Sequence, residues 1–348
     1  MAPRHFTHLK DFAPEEFLAL ADAARALKAS SPKNAPLAGK SLAFCFMNPS
    51  LRTQVSCEVA AASLGGHPIT LSLGAGGGGT WGMESVEGVV MDGTAAEHLK
   101  EAVPVLGRFC AALGLRSFPA GKSWDEDKTE PALAAFRRYS TVPVINLESA
   151  SGHPCQALAD LVTIRERMKP AGKNFLLAWA PHVKALPMAV PNSAVEMAAM
   201  AGMNVTIARP EGCDLDPAVM KRVEKNCALH GARVRVTDDV PAAYEGQHVV
   251  YAKSWGSISN YGQPPPSGAA FRAKWIVTAA KMKKTDDAIF MHCLPVRRNL
   301  VVADEVLDGP WSVVVDEAEN RLHAAKAVLL HLLAPEQRTA APARRHVR

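Results

Sequence analysis

The stretch Phe44-Cys45-Phe46-Met47-Asn48-Pro49-Ser50-Leu51-Arg52-Thr53 decides how this chain is read. The apolar run from Leu42 to Met47 reads as a buried strand, Asn48-Pro49 stops it, and Ser50 stands at the N-cap of a helix. A strand feeding a helix N-terminus offers unpaired backbone N–H groups and the positive end of the helix dipole to an anion. Ser50 and Thr53 add hydroxyls, and Arg52 adds a planar fork of donors that matches phosphate. The residues fit a phosphate pocket made without a glycine-rich loop. Taken alone, they fit a capped helix with a surface arginine equally well.

Two later segments repeat the arrangement. His153-Pro154-Cys155-Gln156 follows the apolar strand Pro143-Val144-Ile145-Asn146, and His292-Cys293-Leu294-Pro295 follows Ala288-Ile289-Phe290-Met291. Open α/β folds bind ligands at the C-terminal edge of a parallel sheet, where these polar groups fall. A helix is predicted over Asp11–Ser30, then strands at Ser41–Met47, Pro68–Leu73, Ala111–Phe118 and Val142–Asn146 with helical patterns between them. A second series runs through Phe175–Trp179, Asn204–Ala208, Arg233–Thr237, His248–Tyr251, Ile289–His292 and Ser312–Val315. The alternation predicts an α/β fold with parallel sheets wrapped by helices. Gly74 to Trp81 reads as a mobile glycine loop carrying one aromatic residue, and the tail after Leu333 as disordered.

Composition excludes several classes. A chain of 348 residues exceeds the usual single-core limit, so two domains are expected. With 48% hydrophobic and 21% charged residues it reads as an ordinary globular protein. The net charge of +5 is mild, and Arg338, Arg344, Arg345 and Arg348 of the tail contribute to it, so nucleic acid is not an expected partner. Seven scattered cysteines without a Cys-x-x-Cys pair imply reduced thiols in a cytoplasm rather than a disulfide framework or a zinc site. No signal peptide, membrane span or dinucleotide fingerprint is recognisable, which counts against a dehydrogenase.

Ser-x-Arg-Thr at Ser50–Thr53, His-Pro-x-Gln at His153–Gln156 and His-Cys-Leu-Pro at His292–Pro295 together resemble the aspartate/ornithine carbamoyltransferases, over roughly residues 1–335. The resemblance implies two doubly wound parallel-sheet domains: a carbamoyl-phosphate domain over 1–156 and an acceptor domain over 157–321. A C-terminal helix over 322–335 would pack back on the first domain, with a tail over 336–348. Ser50, Leu51, Arg52 and Thr53 would bind phosphate, and Arg116 would bridge phosphate and carbonyl oxygen. His153 would donate to that oxygen and Gln156 would hold the carbamoyl NH2, with Pro154 and Cys155 beside them. Cys293 and the Leu294 carbonyl would receive the nitrogens, and Arg321 would complete the anion site. Cys293 as a thiol nucleophile with His292 is a poor reading, because adjacent residues of an extended segment point to opposite faces. The family forms trimers, and Trp81 would reach into a neighbour's site. No metal or other cofactor is implied. A non-catalytic anion-binding homologue is the alternative of another class, though a pure binder would have no need of carbonyl-polarising groups.

The acceptor is read from Tyr251-Ala252-Lys253-Ser254-Trp255-Gly256, where ornithine enzymes carry an aspartate that grips the free α-amino group. A cationic Lys253 would repel an ammonium and pair with a carboxylate. The segment is similar to the acylornithine branch, as are Asn146-Leu147-Glu148, Trp179-Ala180-Pro181-His182 and Asp316–Arg321. The resemblance would place Glu148, His182, Lys253, Leu294 and Arg297 around the acylornithine. Ala96 stands where acetylornithine enzymes place a glutamate and succinylornithine enzymes a proline, so it bears on acyl specificity without deciding it. Val301 stands where some acetyl-specific relatives have a lysine, the segments at Ala189–Ser193 and Pro210–Gly212 lean toward the succinyl branch and Asp316–His323 toward the acetyl branch, and the acetyl reading is preferred. Gln54 replaces the usual arginine; at roughly 100° per residue around the helix it need not face the phosphate.

Overall fold

The structure is a computed structural model, and it describes residues 3–30, 32, 34–74 and 80–334. The expected mobility of the glycine loop and the disorder of the tail fall mostly outside these residues. The first sheet holds β1 (Ser41–Phe46), β2 (His67–Gly74), β3 (Trp81–Glu84), β4 (Glu97–His98), β5 (Ala112–Arg116) and β6 (Val144–Glu148). Its spatial order is β4-β3-β2-β1-β5-β6, with every neighbouring pair parallel. Helices α1 (Pro14–Ala29), α2 (Leu51–Ser63), α3 (Leu99–Phe109), α4 (Trp124–Asp127) and α5 (Pro131–Tyr139) accompany it. β1 and β5 lie inside the sheet with helices on both faces, which is why they read as unbroken apolar runs.

Helix α6 (Pro154–Arg167) leads into the second sheet: β7 (Asn174–Trp179), β8 (Asn204–Ala208), β9 (Val234–Thr237), β10 (Val249–Lys253) and β11 (Ile289–Met291). Its order is β11-β10-β7-β8-β9, again parallel throughout. Around it lie α7 (Ala189–Met200), α8 (Pro217–Leu229), α9 (Val240–Tyr244), α10 (Ala269–Trp275), α11 (Ala279–Met282) and α12 (Asp304–Leu307). Helix α7 is buried on every side, packed between α6 and α8, as its nearly uncharged sequence requires. The last helix, α13 (Val314–Leu333), packs on α6, α1 and α2 and so ties the second sheet back to the first. Among the described residues no helix is long and apolar enough to cross a membrane.

Both sheets are doubly wound. In the first, the chain moves outward through β2, β3 and β4, then returns to the other side of β1 for β5 and β6. In the second, it moves from β7 to β8 and β9, then returns for β10 and β11. The crevices where the order reverses, β1/β5 and β7/β10, are the binding positions of such sheets.

Three expectations need correction. Trp81 is not on a loop: it opens β3 and pairs with Leu73 of β2. Ser312–Val315 is not a strand: Ser312 makes one isolated bridge to Phe290, and the helix begins at Val314 rather than Leu322. Strands β3 and β4 were not anticipated; they are short, partly exposed and polar, so they carry no apolar run.

Candidate active site

The first helix N-terminus is built as its sequence indicates. Ser50 holds an extended backbone (φ −158°, ψ 113°), and its Oγ accepts from the Thr53 N–H at 3.3 Å. The same hydroxyl donates to Thr53 Oγ1 at 2.9 Å. Arg52 projects from the first turn, half-buried, with its Nε making no hydrogen bond to the protein. Gln54 turns away and donates to Glu58 at 3.1 Å.

At the end of β5, a register shift between Leu115 and Arg116 places Arg116 opposite Glu148 of β6, and the two side chains form an ion pair. A bulge at a sheet edge re-aims a side chain in this way. His153 occupies the N-cap of α6 without capping it, so its ring is free to face the cleft. Its Nε2 lies 3.7 Å from a Glu148 oxygen and its Nδ1 is unpartnered, as is Arg116 Nε. Buried donors without partners are uncommon in folded proteins and gather where a ligand completes the set.

Helix α13 supplies the connection between halves. Arg321 donates to Gln156 Oε1 at 3.0 Å and to Thr53 Oγ1 at 2.6 Å, so one guanidinium joins α13, α6 and α2. In the second sheet, Ala180 N–H bonds the Lys253 carbonyl at 3.0 Å, and Ser254 Oγ donates to the Ala180 and Pro181 carbonyls. These bonds hold the loops after β7 and β10 together and set His182 beside Lys253. Arg297 Nε donates to His182 Nε2 at 3.2 Å. Leu294 takes a left-handed backbone (φ 55°), and its N–H donates to His292 Nδ1 at 2.9 Å. Such a conformation costs a non-glycine residue about 1–2 kcal/mol; here it belongs to the turn that closes the cleft.

The two crevices open on one cleft of about 590 Å³. Arg52, Arg116, Lys184, Lys253, Arg297 and Arg321 line it, against Glu148 as its one carboxylate. Six cations facing one carboxylate fit an anionic ligand with more than one charge. Burial and the neighbouring Arg321, Arg116 and Lys253 push His153 well below the ordinary histidine range, and burial with Lys253 and Arg52 does the same to His292. Both rings are therefore neutral at physiological pH, and His153 can serve as a neutral donor. Burial raises the Cys293 thiol, so it is no thiolate nucleophile.

Most of the sequence-selected residues meet here: Ser50, Leu51, Arg52, Arg116, Glu148, His153, Gln156, His182, Lys253, Cys293, Leu294, Arg297 and Arg321 all line the cleft. Thr53 reaches it through Arg321. Cys155 does not present its thiol: the sulfur points back to the Asn146 carbonyl at 3.5 Å, and neither Pro154 nor Cys155 lines the cleft. Trp81 and Ala96 also stand outside it. Trp81 is exposed and donates through Nε1 to Glu97 at 3.0 Å, and Ala96 is exposed nearby. Gly82 sets that neighbourhood, because a Cβ there would sit only 3.0 Å from the Thr94 carbonyl oxygen. Sequence reasoning missed Asp160 and Glu317, two carboxyls buried directly behind Gln156. Their spacing along the chain gave no sign that they meet.

The family models for the carbamoyl-P binding domain and the Asp/Orn binding domain of aspartate/ornithine carbamoyltransferase match residues 4–166 and 188–332. The chain belongs to the aspartate/ornithine carbamoyltransferase family. It is 39% identical over 340 residues to the N-acetylornithine carbamoyltransferase of Xanthomonas campestris pv. campestris, covering 96% of this chain and 98% of that one. The N-succinylornithine carbamoyltransferase of Bacteroides fragilis is 40% identical over 296 residues, covering 84% and 87%. A solved acetylornithine transcarbamylase complexed with acetylcitrulline superposes with a TM-score of 0.89 at 39% identity, covering 95% of this chain and 99% of that chain. The carbamoyltransferase fold thus accounts for both crevices and for the helix that joins them.

Proposed function

We propose that the protein transfers the carbamoyl group of carbamoyl phosphate to the δ-amine of N-acetyl-L-ornithine, giving N-acetyl-L-citrulline and phosphate, in arginine biosynthesis. The observation that carries this reading is the cleft itself, in which an arginine-rich crevice of the first sheet faces Lys253 at the end of β10.

Ser50, Thr53, the N–H groups opening α2, Arg52, Arg116 and Arg321 hold the phosphate. Arg116 and the neutral His153 ring donate to the carbamoyl oxygen, where negative charge grows in the transition state. Gln156 Oε1 and the Leu294 carbonyl accept from the carbamoyl NH2. The uncharged δ-amine attacks the carbonyl carbon, the carbon–oxygen bond to phosphate breaks, and the amine proton leaves on the phosphate. Lys253 pairs with the acceptor carboxylate, with His182 and Arg297 alongside, and Glu148 accepts from the acyl amide N–H. Arg116 exchanges its Glu148 partner for substrate, which frees Glu148 for the acceptor.

Two features support a homotrimer with shared sites. Trp81 lies outside its own chain's cleft, and Leu51, Val55 and Val59 form an exposed apolar stripe at i, i+4 and i+8 on α2. Seven cysteines without a disulfide fit a reducing cytoplasm.

The second reading, succinyl transfer, rests on Ala96, because a glutamate there would repel a succinyl carboxylate and alanine does not. Parallel assays with ornithine, acetylornithine and succinylornithine separate these readings. Acetylornithine is expected to be preferred, and preference for free ornithine would overturn the acceptor assignment. In Ala96→Glu, acetylornithine turnover should persist while succinylornithine turnover falls by about 1–3 kcal/mol in kcat/KM. Equal succinyl turnover in variant and parent would remove Ala96 from the acyl pocket.

A further inference from the structure

Behind Gln156, beneath the residues that line the cleft, lie two carboxyls. Asp160, one turn along α6, and Glu317, in the first turn of α13, are buried and adjoin one another. Gln156 Nε2 donates to both, to Asp160 Oδ1 at 2.8 Å and Glu317 Oε1 at 3.2 Å. The other Glu317 oxygen, Oε2, accepts from the His292 N–H at 2.9 Å. Tyr251 of β10 abuts Asp160, Cys293 lies near Glu317, and Arg321 is the nearby cation.

We propose that Asp160 and Glu317 form a one-proton carboxyl pair that positions Gln156 and the His292–Leu294 turn for carbamoyl transfer. Two adjoining buried carboxyls cannot both ionise, so the pair keeps a proton. Both Glu317 oxygens accept from N–H donors, while Asp160 accepts from Gln156 through Oδ1 and has the Tyr251 hydroxyl beside it, so the proton is held between the two carboxyls.

The consequence is a defined amide orientation. With two acceptors fixed behind Nε2, Gln156 must turn Oε1 forward, where it accepts from Arg321 and keeps a lone pair for the carbamoyl NH2. The same pair anchors the backbone from which Leu294 presents its carbonyl. Asp160 and Glu317 touch no substrate in this arrangement; they are positioning residues. The inference rests on the carbamoyl-transfer reading only for its kinetic part.

The test compares isosteric and truncating variants. Asp160→Asn keeps an acceptor toward Gln156 and a donor toward Glu317, so it should restore most of the kcat lost in Asp160→Ala. Glu317→Gln must aim its NH2 at an N–H donor and should lose kcat like Asp160→Ala, by about a hundredfold. Affinity for inorganic phosphate should change little in all three, since Ser50, Arg52 and Arg116 are untouched. Independently of turnover, infrared difference spectra at neutral pH should show a protonated-carboxyl band in the parent that vanishes in Asp160→Asn. Absence of that band, an active Glu317→Gln, or an Asp160→Asn as impaired as Asp160→Ala would overturn the proposal. A parent that carries the band but transfers no carbamoyl group would instead overturn the activity reading alone.

Discussion

His153 and His292 lie buried beside guanidinium and ammonium groups, and both rings are held neutral. Their folded pKa lies below the unfolded value of 6.5, so no proton difference exists above that pH. As pH falls below it, the unfolded chain takes up protons that the folded chain refuses, and stability declines. Each ring contributes a slope of up to about 1.4 kcal/mol per pH unit in this window. Urea unfolding of the parent and of His292→Gln between about pH 7.5 and 5.5 should differ by one ring's share, the parent losing more stability as pH falls, because the proton kept by the Asp160–Glu317 pair acts in the opposite sense in both. A slope unchanged in that variant would mean that His292 is protonated in the folded state. At this scale the sequence was legible wherever a residue sits next to its own strand end, as Arg52, Arg116, His153 and Lys253 do. Cys155 misled because one helical residue in a motif can face the core while its neighbours face the cleft.

Helix α2 carries two roles on one side chain, since Ser50 both caps the helix and borders the phosphate crevice. Ser50→Ala should lower stability by about 1 kcal/mol and weaken phosphate binding together. Ser50→Asp separates the roles: aspartate caps as well as serine, but its charge faces the phosphate. Its melting temperature should stay near the parent's while phosphate affinity, read by calorimetry, falls at least about tenfold. Retained affinity would place the phosphate elsewhere. Central strands such as β1, β5 and β7 were readable because burial on both faces demands continuous apolar residues. The run at Ser312–Val315 was ambiguous because four apolar-rich residues fit either period. Its fate follows from context: Asp316 and Glu317 next in sequence favour a helix N-terminus, and the chain makes a single bridge to Phe290 before turning.

Across the whole molecule, the proposed shared site predicts complementation between two inactive proteins. Trp81→Ala and Arg52→Ala should each nearly abolish turnover. Reassembled as mixed trimers, they should recover part of it, because some interfaces then join an intact Arg52 to a neighbour's intact Trp81. Mixed trimers that stay inactive would restrict Trp81 to packing within its own chain. The position of Trp81 makes the test specific, since its indole is exposed and bonded to Glu97, away from the cleft of its own chain.

The central strands, the helices between them and the motifs that carry the family were legible in the sequence alone, because apolar period and strand-end motifs are local properties. Arg52, Arg116, Lys253 and Arg297 were legible for the same reason, since each stands at or shortly after a strand's C-terminal end, whereas Lys184 was missed and Arg321 comes from α13. What only the tertiary structure decided is how distant segments share atoms. Arg321 meets Thr53 and Gln156 through the packing of α13 on α2 and α6, and Asp160 meets Glu317 across the same contact. No local pattern encodes such meetings. They follow from the docking of one long helix against two others, where buried polar groups must find partners or remain unsatisfied.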